Sequence, residues 1–222
     1  MINVLDPKCK WFLDRHSKFT ASSNSKLLLK GKDGTGFSVG GITYIEEKAI
    51  ETMTELFENP KLEFVEPLIF GNAQEQHAYE SYVEVSKNYN MRYFGSETPV
   101  FLDYNEYSGG SPDGLMGQGD VVHWGLEIKS PMNSKNHYKY LKFKTQWDLK
   151  EQRIEYYTQI QFLLMITKAD GFHFSSYDER FKDKKLRVKI LDVLPDKSFQ
   201  DNLEIRLHLA QKEKLKIIKE IR

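Results

Sequence analysis

A chain of 222 residues, 40% hydrophobic and 29% charged, has the length and balance of one ordinary soluble globular domain with a sizeable core. Thirty-two basic residues cancel thirty-two acidic ones, so the global excess of positive charge that phosphate contacts usually bring is missing. The single cysteine, Cys9, excludes an internal disulfide framework and a cysteine-ligated cluster or zinc site. No segment reads as a signal peptide and no apolar run approaches membrane-spanning length, so a cytoplasmic protein without a membrane partner is expected.

Asp6 to about Arg15 reads as a short amphipathic helix. Thr20-Ala21-Ser22-Ser23 supplies hydroxyls that would cap a helix beginning near Lys26-Leu27-Leu28-Leu29. Gly31 to Gly41 is glycine-rich but matches neither the dinucleotide nor the P-loop fingerprint, and it reads as a flexible loop. Ile42 to about Phe57 and Leu68 to about Lys87 carry helical periodicity. The period then changes. Pro99–Asp103 and the segments around Asp113 and Glu127 are short, alternating and bounded by Gly and Pro, as in an antiparallel meander.

Between Lys129 and Glu155, seven Lys or Arg residues outnumber three acids, and Tyr138 to Lys144 reads as a basic rim. Ile154 to about Thr167 is apolar almost all round and predicts a buried helix. Phe172–Tyr177 and Leu186–Val193 read as closing strands, and Lys197–Arg222 as a charged amphipathic helix with at most one break. The order is that of an α+β or mixed α/β chain. It is expected to form a single domain with a helical part at about 1–90, a sheet-bearing core at about 91–195 and a C-terminal helix at about 197–222.

The chemistry concentrates in Ser111-Pro112-Asp113-Gly114-Leu115 and Gly125-Leu126-Glu127-Ile128-Lys129. The first puts a carboxylate on a turn. The second puts a carboxylate and a lysine on one face of a strand, with Leu126 and Ile128 on the other. If the two segments pair, two acids and an ammonium converge, which suits a hard divalent cation and an activated water. The bland alternative is a turn followed by a solvated strand face. The six histidines show no metal-ligand spacing, so any metal would be held by oxygen, favouring magnesium or manganese over zinc.

With these blocks in order, the chain resembles the lambda-exonuclease or YqaJ-type viral recombinase branch of the PD-(D/E)XK nuclease superfamily. The likeness runs from about Arg15 to Arg180. It includes Arg15 ahead of Thr20-Ala21-Ser22, Gly71-Asn72-Ala73-Gln74-Glu75, Asp103 ahead of Ser111-Pro112-Asp113, Glu127-Ile128-Lys129, Gln159-Ile160-Gln161 and Tyr177-Asp178-Glu179-Arg180. The resemblance implies a restriction-endonuclease-like core, a central mixed sheet flanked by helices.

It also implies a magnesium-dependent exonuclease that digests duplex DNA 5′ to 3′ and leaves 3′ overhangs for recombination. Asp113, Glu127 and the Ile128 carbonyl would hold the metal, with Glu75 and Asp103 as further acids. Lys129 and Gln159 would act at the cleavage centre. Arg15, Ser22 and Ser111 would receive the 5′-phosphate, with Tyr156 and Leu68 also touching DNA, although Ser22 also fits an N-cap and Leu68 a core position. The family's basic residue after the catalytic strand falls on Lys135 or His137, and the Gly31–Gly41 loop is shorter than a duplex-gripping insertion would be. A homotrimer, double-stranded DNA ends and a single-strand annealing protein complete the implied picture. The rivals are an endonuclease of the same superfamily and an inactive DNA-end-binding protein, the latter disfavoured because Asp113, Glu127 and Lys129 are all present.

Overall fold

The structure, a computed structural model, describes residues 6–55 and 66–221. Asp6 caps α1 (Pro7–Arg15) by accepting from the Lys8 amide, and Pro7 opens the helix where its missing N–H costs nothing. A two-residue strand β1 (Phe19–Thr20) leads to the single turn α2 (Ser25–Leu28). The expected hydroxyl cap is not made, because the N-cap position falls on Asn24, whose side chain makes no capping bond. α3 (Val39–Met53) starts three residues earlier than its periodicity suggests, since Ser38 caps it by accepting from the Gly41 amide.

The glycine-rich segment ahead of α3 is fastened. Gly31 N–H donates to the Thr35 carbonyl, and the buried Arg206 donates to the carbonyls of Leu27, Leu29 and Gly36. Gly34 and Gly36 take positive φ there, which is where their missing Cβ is needed.

After α4 (Glu66–Ser86) the chain enters the strand region, which forms two sheets instead of one meander. The larger has the order β2-β5-β6-β7-β8, formed by Arg92–Tyr93, Gly114–Gln118, Val121–Lys129, Gly171–Tyr177 and Val188–Val193. β6 and β7 run parallel and the other pairs antiparallel, which makes the sheet mixed. β3 (Leu102–Asn105) and β4 (Ser108–Gly110) join β1 in a separate three-stranded sheet.

α7 (Ile154–Thr167) packs between the two sheets and against α8 (Lys197–Ile221). A helix wedged in that way must be apolar all round, and Tyr157, Ile160, Phe162, Leu163 and Leu164 are all buried. α4 covers the other face of the large sheet, with Ala78 and Tyr82 against Leu126, Ile128 and Tyr177. α8 is unbroken. None of the described helices is long and apolar enough to cross a membrane.

The stretch read as a basic rim lies between β6 and α7, its first half on α5 (Ser134–Leu141) and Lys142–Lys144 in the connection to α6 (Gln146–Gln152). His137 on α5 is fully buried, with Nε2 set to donate to the Leu186 carbonyl and Nδ1 to accept from the Ser176 hydroxyl, both at 2.8 Å. Burial holds its pKa below the ordinary histidine value, with Asp178 pulling it up and Arg180 pushing it down. A base whose pKa falls on folding takes up a proton more readily unfolded. Its contribution is therefore complete above the ordinary value and is lost as pH falls through and below it. The difference in unfolding free energy between wild type and His137→Gln, measured by urea titration, is expected to shrink from pH 7.5 to pH 5 by on the order of 1 kcal/mol. A pH-independent difference would show that His137 charges equally in both states.

Candidate active site

β5 and β6 pair antiparallel with Gly114 opposite Leu126 and Leu115 opposite Gly125, so Asp113 stands at the mouth of this pair. Its amide donates to the Leu126 carbonyl, and its carboxylate accepts the Ile128 amide at 2.6 Å. That bond sets the Asp113 carboxylate beside the backbone between Glu127 and Lys129.

Along β6 the alternation sends Leu126 and Ile128 against α4 and Glu127 and Lys129 toward α7. Glu127 is only 1% exposed. Its Oε1 accepts from Lys129 Nζ at 2.6 Å and from Gln159 Nε2 at 2.7 Å, while its buried Oε2 has no partner. Tyr156 lies on the same side of α7 as Gln159, and Lys129 Nζ sits 5.1 Å from its ring centroid.

Two acids and a lysine in so dry a corner perturb one another. Burial and the neighbouring Glu127 hold the Asp113 carboxyl well above the usual range. Burial also raises Glu127, against the opposing pull of Lys129 and Gln159. Burial alone would lower Lys129, but Glu127 and Asp113 outweigh it and the ammonium is held above its ordinary value. Glu75, on α4, accepts the Ser96 amide and is raised chiefly by burial, with Glu127 adding to the push.

Other sequence candidates stand elsewhere. Asp103 is 59% exposed and pairs with Lys18 at 2.5 Å instead of joining the Asp113–Glu127 pair. Lys135 is exposed at the start of α5, whereas the alternative His137 is sealed in the core with both nitrogens occupied. Leu68 lies in the first turn of α4, with its side chain outside the described part of the structure. Ser22 is exposed and contacts the Thr20 hydroxyl; Arg15 stacks on Trp11 with its guanidinium carbon 4.0 Å from the ring centroid. Trp11, absent from the sequence reading, donates its indole N–H to the Ser111 hydroxyl at 2.7 Å and so joins α1 to the Ser-Pro-Asp-Gly turn. Its one legible signal is its place four residues before Arg15, on the same helix face.

The carboxylate pair fits a hard divalent cation. Glu127 Oε2 is an unshared carboxylate oxygen in a dry site, the kind of ligand such a cation takes. Among the described residues no third His, Cys, Asp or Glu closes a complete cage. Magnesium is ordinarily held by one or two carboxylates, water and substrate phosphate, so two carboxylates suffice.

Solved structures share this architecture. An alkaline exonuclease from Laribacter hongkongensis matches with a TM-score of 0.74 at 22% identity, over 96% of this chain and 95% of that one. Its complex with dAMP gives the same values. A phage-related exonuclease from Haemophilus somnus 129PT gives 0.67 at 16% identity, over 93% and 97%. At these identities the likeness establishes a shared fold and nothing more. No curated protein sequence matches. Residues 10–170, nearly three quarters of the chain, match the YqaJ-like viral recombinase domain, and the chain belongs to that family.

Proposed function

We propose that this chain is a magnesium-dependent exonuclease that enters duplex DNA at an end, digests the 5′-terminated strand and leaves a 3′ single-stranded overhang. The observation that carries the reading is the buried Asp113–Glu127 pair, with Glu127 Oε2 unshared and Lys129 and Gln159 fixed on Oε1. It stands in a family of viral recombinases and a fold shared with enzymes described as exonucleases.

A bound magnesium or manganese ion would polarise the scissile phosphate and a water molecule. Asp113 and Glu127 are the residues that would hold it, with the Ile128 carbonyl and Glu75 as the further oxygens of this reading. Gln159 and Lys129 keep Glu127 Oε1 engaged, which would leave Oε2 to an ion. Lys129 offers ammonium N–H groups to the phosphate or the attacking water and offsets charge as it develops. Arg15, stacked on Trp11, and Ser111, tied to the same indole, offer a planar cation and a hydroxyl for a terminal phosphate. A homotrimer threaded by DNA and a single-strand annealing partner, in the cytoplasm of a bacterial host, belong to the same reading.

The test is digestion of a linear duplex with 5′-phosphates in magnesium, beside a closed circle of the same DNA. The expected result is loss of the duplex with long single strands surviving and the circle untouched. Cutting of the circle would establish an endonuclease; tight binding to ends without cutting would establish an inactive end-binding protein.

A further inference from the structure

Beyond Lys129 the chain leaves the sheet: the β6–β7 register ends at Lys129 opposite Ser176, and the next residues are Ser130-Pro131-Met132. Proline has no N–H to give, so this segment is anchored through its carbonyls. Both carbonyls are taken by one side chain. Arg180 Nη1 donates to Met132 O at 2.7 Å and Nη2 to Pro131 O at 3.0 Å.

The same guanidinium is locked in place from behind. Its Nε and Nη2 grip the two Asp178 oxygens at 2.7 and 2.9 Å, and the Asp178 side chain is only 1% exposed. Its carbon also lies 5.1 Å from the ring centroid of Phe70, a turn and a half before Glu75 on α4. A solvated ion pair would hold nothing. This one is bidentate, backed by a buried carboxylate, and spans three elements.

We propose that Arg180 is a positioning residue of the cleavage site. By fixing the Pro131 and Met132 carbonyls and resting on Phe70, it holds the end of β6, which carries Glu127 and Lys129, against the part of α4 that carries Glu75. Such a site tolerates only about 0.5 Å of misplacement, and Lys129 is the last residue the sheet itself restrains. Lysine cannot replace arginine, because one ammonium cannot reach two carbonyls and two carboxylate oxygens in a plane.

The inference rests on the metal-dependent reading above, and its test separates the two. Manganese binding to the full chain is measured by calorimetry for wild type, Arg180→Lys and Phe70→Leu, with melting temperature and amide exchange at Met132–Ser134 alongside. Arg180→Lys is expected to bind manganese about 10–100-fold more weakly, the range seen when groups supporting metal ligands are removed. Faster exchange at Met132–Ser134 should accompany it. Phe70→Leu keeps an apolar contact, is expected to fold, and should weaken binding by a smaller factor, roughly 3-fold. A lower melting temperature with unchanged manganese affinity in both variants would mean a merely structural clamp and overturn the proposal. If wild type binds no manganese and cuts no DNA, the functional reading falls and takes this one with it. If wild type does both and Arg180→Lys matches it, only the positioning role falls.

Discussion

Lys129→Ala is expected to lose DNA cleavage by ~10²–10⁴-fold and to destabilise the fold, whereas Glu127→Gln should lose as much cleavage with stability kept or raised. The asymmetry follows from the contacts. Removing the ammonium leaves Glu127, 1% exposed, and its neighbour Asp113 without their counter-charge. Breaking a buried pair in this way costs several kcal/mol. The loss here should be about 1–3 kcal/mol, since Lys129 is a quarter exposed and the carboxyls can take up protons. An amide at position 127 still accepts from Lys129 and Gln159 through Oε1. It removes the like charge facing Asp113 and puts an N–H group where Oε2 has no partner. Melting curves of both variants, beside digestion of a linear duplex, decide it. Equal destabilisation would sink the electrostatic account, and normal cleavage by Glu127→Gln would sink the assignment of the site.

What could be read from the chain was whatever has a period or a fixed local spacing. The alternation from Leu126 to Lys129 gave both faces of β6, and the largely apolar stretch from Ile154 to Thr167 matches α7 end to end. The opposite held for elements whose reasons lie far along the chain. β1, β2 and β4 are two or three residues long and exist because a partner strand is there. α5 and α6 were hidden under their charge, although Thr145 and Asp148 carry a capping signal: the Asp148 carboxylate accepts the Thr145 amide. No local pattern shows that Trp11 reaches Ser111, that Arg206 fastens the glycine-rich loop, or that Lys18 claims Asp103. The central carboxylate–lysine cluster was legible because three of its members share one hairpin. The contacts among Trp11, Arg15 and Ser111 were less so, because tertiary packing assembles them.

Gly125→Ala should be among the most destabilising single-methyl additions available, costing ~3 kcal/mol and lowering the melting temperature by roughly 6–12 °C. Gly125 pairs directly with Phe172 across the parallel β6–β7 register, and the phenyl ring lies over the glycine. A Cβ there would stand 2.1 Å from Phe172 Cζ and 2.3 Å from both Cε atoms. Phe172 is fully buried in the main core, so the ring has nowhere to turn. The strand must move instead, and Glu127 is two residues away. Cleavage should therefore fall even at temperatures where the variant is folded. Phe172→Leu shortens the obstructing ring, so the double variant should be more stable than the sum of the two single losses, by about 1–2 kcal/mol. Strict additivity would show that the methyl is absorbed elsewhere and that the close approach of ring to backbone is not what requires glycine at this position.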